Sequence, residues 1–184
     1  MFICPNAFCI SQDLHSSNGY HEVVMIYSYS ETFEKAEKEA LHCFVRIVKT
    51  VIEELNKTIQ IGTWALKLIN VNNKELKKDC ETLYNADIAI VECTRKDANV
   101  FYMLGMAHAL GCLVCPCFRA DTVEEKAEGN TETGKKAARD TGIKIPFDVH
   151  GRQSLIYRVV NIEDQEDLKE KLINWINHCI GLNE

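Results

Sequence analysis

A chain of 184 residues that is 46% hydrophobic is long enough for one well-filled core and too short for two ordinary domains. Its formal charge of −6 argues against general affinity for DNA, RNA or anionic membrane, and no apolar run approaches the length of a membrane span. The start, MFICPNAFCISQD, lacks a basic segment followed by a sustained apolar stretch, so no secretory signal is expected and residues 1–184 read as one cytoplasmic domain.

Residues 1–21 read as an irregular segment, broken by Ser16, Ser17, Asn18 and Gly19. Val23 to Tyr29 is a short apolar, β-branched run that suits a buried strand. It passes through Ser28 and Ser30 into a long amphipathic helix, with Phe33, Ala36, Leu41, Phe44, Val48, Val51 and Leu55 on one stripe. Trp64 to Val71 contains the second expected strand, and Asn72 or Asn73 can cap the charged helix that follows. Asp87 to Cys93 reads as a strand covered on both faces. Asn99 to Leu110 reads as a helix closed by Gly111, and Leu113 to Phe118 as another strand. The polar stretch 119–144 is expected to be an insertion or lid. Gln153 to Val160 completes the strands, before a last helix from about Glu163 that buries Leu168, Leu172, Trp175, Ile176 and Cys179.

Strands alternating with helices imply an α/β fold: a flavodoxin-like, doubly wound sheet of about five mainly parallel strands with helices on both faces. Ligands of such sheets bind outside the carboxyl ends of the strands. The loops to inspect therefore follow Tyr29, Val91 and Phe118. There are nine cysteines, read as reduced, small apolar residues. Cys112, Cys115 and Cys117 have no further ligand at zinc-site spacing, so no metal is expected, and no cofactor.

Three segments reach that edge. In residues 27–33, Ser28 and Ser30 with the free amides of the next helix could cradle an anion or ribose; Ser30 could equally be an N-cap, and the two roles are compatible. In residues 85–111, Glu92 ends a strand, Thr94 follows, and Asp97 and Asn99 lead a helix whose first turns carry Tyr102 and Gly105. A mid-helix glycine costs about 1 kcal/mol relative to alanine, so Gly105 calls for a packing or ligand reason. His108 reads as a packed histidine. In residues 145–153, Arg152 is a cation placed to meet a phosphate, and a surface arginine is the plainer alternative.

The second segment resembles the nucleoside 2-deoxyribosyltransferase-like superfamily and its Toll/interleukin-1-receptor-like nucleotide-binding relatives. The matching residues are Asp87, Glu92, Thr94, Asn99, Val100, Phe101, Tyr102, Leu104, Gly105, His108, Ala109, Leu110 and Gly111. Ile145-Pro146-Phe147-Asp148, Gly151, Arg152 and Tyr157 are similar to a later motif of the same family. The resemblance implies a pocket for a nucleoside, nucleotide or NAD-type molecule, lined by Ser28, Ser30, Asp87, Thr94, Asn99, Tyr102, Gly105 and Arg152. It also implies a cytoplasmic homo-oligomer with a signalling or defence role. Where active relatives carry a catalytic glutamate, this chain has Met103, which can neither attack nor stabilise an oxocarbenium-like centre. Asp97-Ala98 replaces the usual Asn-Pro, and Glu92 replaces an aspartate. The expectation is therefore a binding pocket that senses its ligand. The alternatives are an N-ribosyl hydrolase or transferase using Glu92 or Asp97, and a non-catalytic protein-interaction module.

Overall fold

The computed structural model describes residues 19–58, 62–120 and 154–180. Strand β1 (Tyr20–Tyr27) leads through a turn into helix α1 (Lys35–Thr58), and β2 (Thr63–Asn70) ends in a single 3₁₀ turn, Val71–Asn73. Helix α2 (Leu76–Tyr84), β3 (Ile88–Glu92), α3 (Ala98–Leu110) and β4 (Leu113–Arg119) follow, then β5 (Leu155–Tyr157) and α4 (Ile162–Cys179). The strands form one sheet in the order β2-β1-β3-β4-β5, and every pairing is parallel. This is the flavodoxin-like arrangement: the chain steps from β1 outward to β2, then reverses past β1 to β3.

The apolar runs are continuous because both faces are covered. Along β1, Val23 and Met25 point to one face, where they meet Phe44, Val48 and Val51 of α1 and a layer continued by Leu168, Leu172 and Ile176 of α4. Val24 and Ile26 point to the other face, among Val100, Met103, Leu104 and Ala107 of α3 and Leu83 of α2. Side chains alternate across a strand, so one run feeds two cores.

Several boundaries differ from the sequence expectation, some through a tertiary partner and others through a local turn or cap. β1 begins at Tyr20, inside the segment read as irregular, because Glu22 N–H donates to Asp87 Oδ2 (2.9 Å) and Lys67 pairs with Glu22 (2.6 Å). Helix α1 starts only at Lys35, so Phe33 lies in a turn closed by its own N–H to Ser30 O (3.1 Å). Ser30 is thus a turn residue and not the helix N-cap: its Oγ takes the N–H of Thr32 (3.2 Å). Neither Asn72 nor Asn73 caps α2. Its N-cap is Glu75, with no side-chain bond. β5 is shorter than expected because Asn161 and Asp164 form a capping box that starts α4. The N-terminal residues 1–18, and the stretch 121–153 that includes most of the expected lid and Arg152, lie outside the described residues.

Gly62 is needed for steric reasons. Its φ is +152°, and a Cβ there would sit 2.1 Å from Gly19 O. Gly111 (φ 86°) closes α3 in the left-handed conformation that glycine adopts cheaply.

Candidate functional site

The carboxyl ends of the strands converge on a cleft of about 290 Å³. Ser28 after β1, Glu92 and Thr94 at the end of β3, Arg119 at the end of β4 and Tyr157 at the end of β5 line it from the sheet. Phe33, Glu37 and Leu41 close it from the α1 side, and Arg95 reaches in from the β3–α3 loop.

Glu92 is the central group. It is 7% exposed, yet it belongs to the cleft lining. Its Oε1 accepts from the Thr94 N–H (3.2 Å), from the Thr94 hydroxyl and from the Tyr157 hydroxyl (3.0 Å). These bonds all converge on one oxygen, which leaves Oε2 as the position for a carboxyl proton or a ligand contact. Burial pushes the Glu92 carboxyl above its ordinary range, while Thr94, Tyr157 and the Arg119 charge pull the other way. Burial also raises Tyr157, and the adjacent Glu92 charge adds to the effect, so the phenol stays a proton donor. Tyr157 is held by stacking on Phe44, with centroids 4.7 Å apart. Thr94 is held in turn, because its Oγ accepts the Arg119 N–H (2.8 Å).

The crevice between β1 and β3 is tied by a polar chain. Asn72 Nδ2 donates to Ser28 Oγ (2.9 Å) and to Tyr29 O (3.0 Å), and Ser28 Oγ donates to Asp97 Oδ2 (2.8 Å). The other oxygen, Asp97 Oδ1, caps α3 by accepting the Asn99 N–H (2.8 Å). Both oxygens of Asp97 are therefore engaged in holding the helix start against the sheet edge. That is a positioning role, which sets Asp97 apart from Glu92.

A second depression, of about 420 Å³, lies on the α2 and α3 side. Asn99, Tyr102 and Met103 line it with Val71, Leu76 and Asp79. The residues singled out in the sequence thus divide. Ser28, Glu92 and Thr94 share the first cleft, Asn99, Tyr102 and Met103 face the second, and Asp97 stands between them. Ser30 lies in an exposed turn, where its hydroxyl bonds Thr32 (2.8 Å). Asp87 precedes β3 at the opposite rim, roughly 16 Å from Glu92 at about 3.3 Å per strand residue. There it binds Glu22 and approaches His21 (3.9 Å). Burial lowers the basicity of His108, in keeping with a packed histidine.

Packing among the described residues does not require Gly105, since a Cβ there would meet nothing within 4 Å. The Gly105→Ala variant should therefore gain about 0.5–1 kcal/mol from backbone entropy. A melting temperature equal to or below wild type would show that the position is constrained after all.

Phe33, Glu37, Arg95 and Arg119 were not singled out as site residues from sequence. Arg119 carried a usable signal, a cation closing an apolar strand. The Arg95 and Glu37 side chains meet only because α1 passes the β3 loop, 58 residues apart in sequence.

The fold and cleft define an α/β flavodoxin-like protein with a charged crevice at the carboxyl edge of its sheet. No protein-family model and no curated protein matches the chain. Among the described residues no group of His, Cys, Asp or Glu is arranged to hold a metal ion, and no helix is long and apolar enough to cross a membrane.

Proposed function

We propose that the protein binds a nucleoside, nucleotide or NAD-derived ligand in the cleft at the carboxyl edge of the sheet, as a sensor or signalling module. The observation that carries this reading is Glu92: a buried carboxyl whose Oε1 is saturated and whose Oε2 is left to the cleft, beside the hydroxyls of Ser28 and Thr94 and two arginines. Such a carboxyl can bond a sugar hydroxyl or a base edge, and the fold places it where parallel sheets take their ligands. The resemblance of residues 85–111 to nucleoside-binding families points the same way, and it supports a homo-oligomeric assembly.

A second reading is N-glycosidic cleavage with Glu92 as the acid, which its raised pKa favours. It is the weaker one, because an acid alone lacks the nucleophile, base or charge stabiliser that glycosidic cleavage also draws on. Of the other candidates, Asp97 is occupied at both oxygens, Met103 lines the second depression, and Glu37 is paired with Arg95.

Thermal denaturation against nucleosides, mononucleotides and NAD, with chromatography for released base, tests both readings. A ligand at 100 times its dissociation constant should stabilise by about 2.7 kcal/mol, or roughly 5–10 °C for a chain of this size. Base release would favour the enzyme. No shift with any of these compounds, together with self-association or capture of a protein partner, would replace the ligand-binding reading with that of an interaction module.

A further inference from the structure

We infer that the ligand of this cleft carries an oxyanion, a phosphate in the nucleotide case, and that the Glu37 carboxylate occupies the Arg95 guanidinium until that oxyanion displaces it. The inference rests on the cleft being the nucleoside-type site proposed above and narrows its ligand from neutral nucleosides to phosphorylated ones.

Two arginines enter the cleft from different elements. Arg95 comes from the loop after β3, in a turn closed by Lys96 N–H to Cys93 O (3.0 Å), and Arg119 from the end of β4. The Arg95 guanidinium lies 3.8 Å from the Phe33 ring centroid and pairs with Glu37 Oε1. The ring gives Arg95 a second anchor, so the guanidinium keeps its place when the carboxylate leaves. Glu37 also has somewhere to remain. Its Oε2 accepts the Glu34 N–H (3.3 Å) in the first turn of α1, where the helix dipole favours a negative charge.

The magnitudes favour exchange. The two side chains are 41% and 33% exposed, and an ion pair with that much water contact is weak. A phosphate offers the planar guanidinium a bidentate, charge-assisted partner, which is stronger. Arg119 brings a second guanidinium to the lining of the same cleft, from a different strand end. Its volume, at the small end for ligand pockets, suits one mononucleotide.

The test is calorimetric titration of the full chain at low salt with matched nucleoside and nucleoside 5′-monophosphate pairs for each base, and with inorganic phosphate. Wild type, Arg95→Gln and Glu37→Gln are compared after their melting temperatures are checked. A monophosphate should bind at least tenfold more tightly than its nucleoside. Arg95→Gln should erase most of that ratio and leave the nucleoside unchanged, while Glu37→Gln should tighten the monophosphate several-fold. Equal binding of the pair, or a ratio untouched by both variants, overturns the oxyanion inference and leaves the nucleoside reading standing. Phosphate binding that responds to both variants, with nucleotides no tighter than phosphate, supports the oxyanion site and removes the nucleoside reading. Binding of neither class overturns both.

Discussion

The Glu92→Gln variant is expected to lose less stability than wild type as pH rises from the acid range, with the gap in melting temperature widening toward alkaline pH. The folded chain holds the Glu92 carboxyl above its ordinary pKa through burial, whereas the unfolded chain titrates it normally. Between those two values the native state binds more protons than the unfolded state, so the unfolding free energy falls as pH increases. The stabilisation is complete below the unfolded pKa and is lost as pH passes the raised folded one. Glutamine has no proton to lose. Its carbonyl oxygen can take the place of Oε1, accepting from Thr94 and Tyr157, while its amide faces the cleft. The slope contributed by this site should therefore vanish. Melting curves of both proteins across the pH range decide the matter: parallel profiles would mean that Glu92 titrates normally and that its burial has no electrostatic consequence. In the same experiment Arg119 and the Thr94 and Tyr157 bonds oppose the shift, so Tyr157→Phe should enlarge the wild-type slope.

The Met103→Glu substitution, which restores the carboxylate found at this position in the families the sequence resembles, is expected to destabilise the protein without creating an enzyme. Met103 is 2% exposed and packs with Val100, Leu104 and Ala107 against the sheet. Exchanging its thioether for a carboxylate removes apolar contact and desolvates a charge, a loss of about 2–5 kcal/mol, or roughly 5–15 °C in melting temperature. The deficit should shrink at low pH, where the new acid is protonated. Calorimetry and a base-release assay on the same sample check both halves. A stably folded variant that liberates base from a nucleoside or NAD would move the reactive site to the second depression and reinstate the family register.

Much of the site lay beyond sequence reasoning for a specific reason. Glu92 and Thr94 were legible because a polar residue ending an apolar strand must reach the sheet edge. Asn99, Tyr102 and Met103 were legible as residues of one helix, but that helix packs on one face of the sheet while the cleft opens on the face covered by α1. Glu37 and Arg95 are ordinary surface charges until α1 crosses the β3 loop. Phe33 fitted the helical stripe by spacing, yet the Ser30–Phe33 turn removes it from the helix and places it beneath a guanidinium. His21 and Glu22 were hidden in the same way. They are strand residues buried by partners, Trp64 with its ring centroid 4.5 Å from that of His21 and Lys67 on Glu22, that no local pattern announces.

By itself the sequence determined which segments are strands and which are helices, and hence a doubly wound sheet. Those properties follow from apolar periodicity, which each segment carries within its own few residues. Only the tertiary structure decided which of two depressions receives Glu92, which charges face it, and that Asp97 is a tie between helix and sheet. Such choices depend on pairings between residues distant in the chain, whose energies exist only once the backbone has brought them within hydrogen-bonding reach.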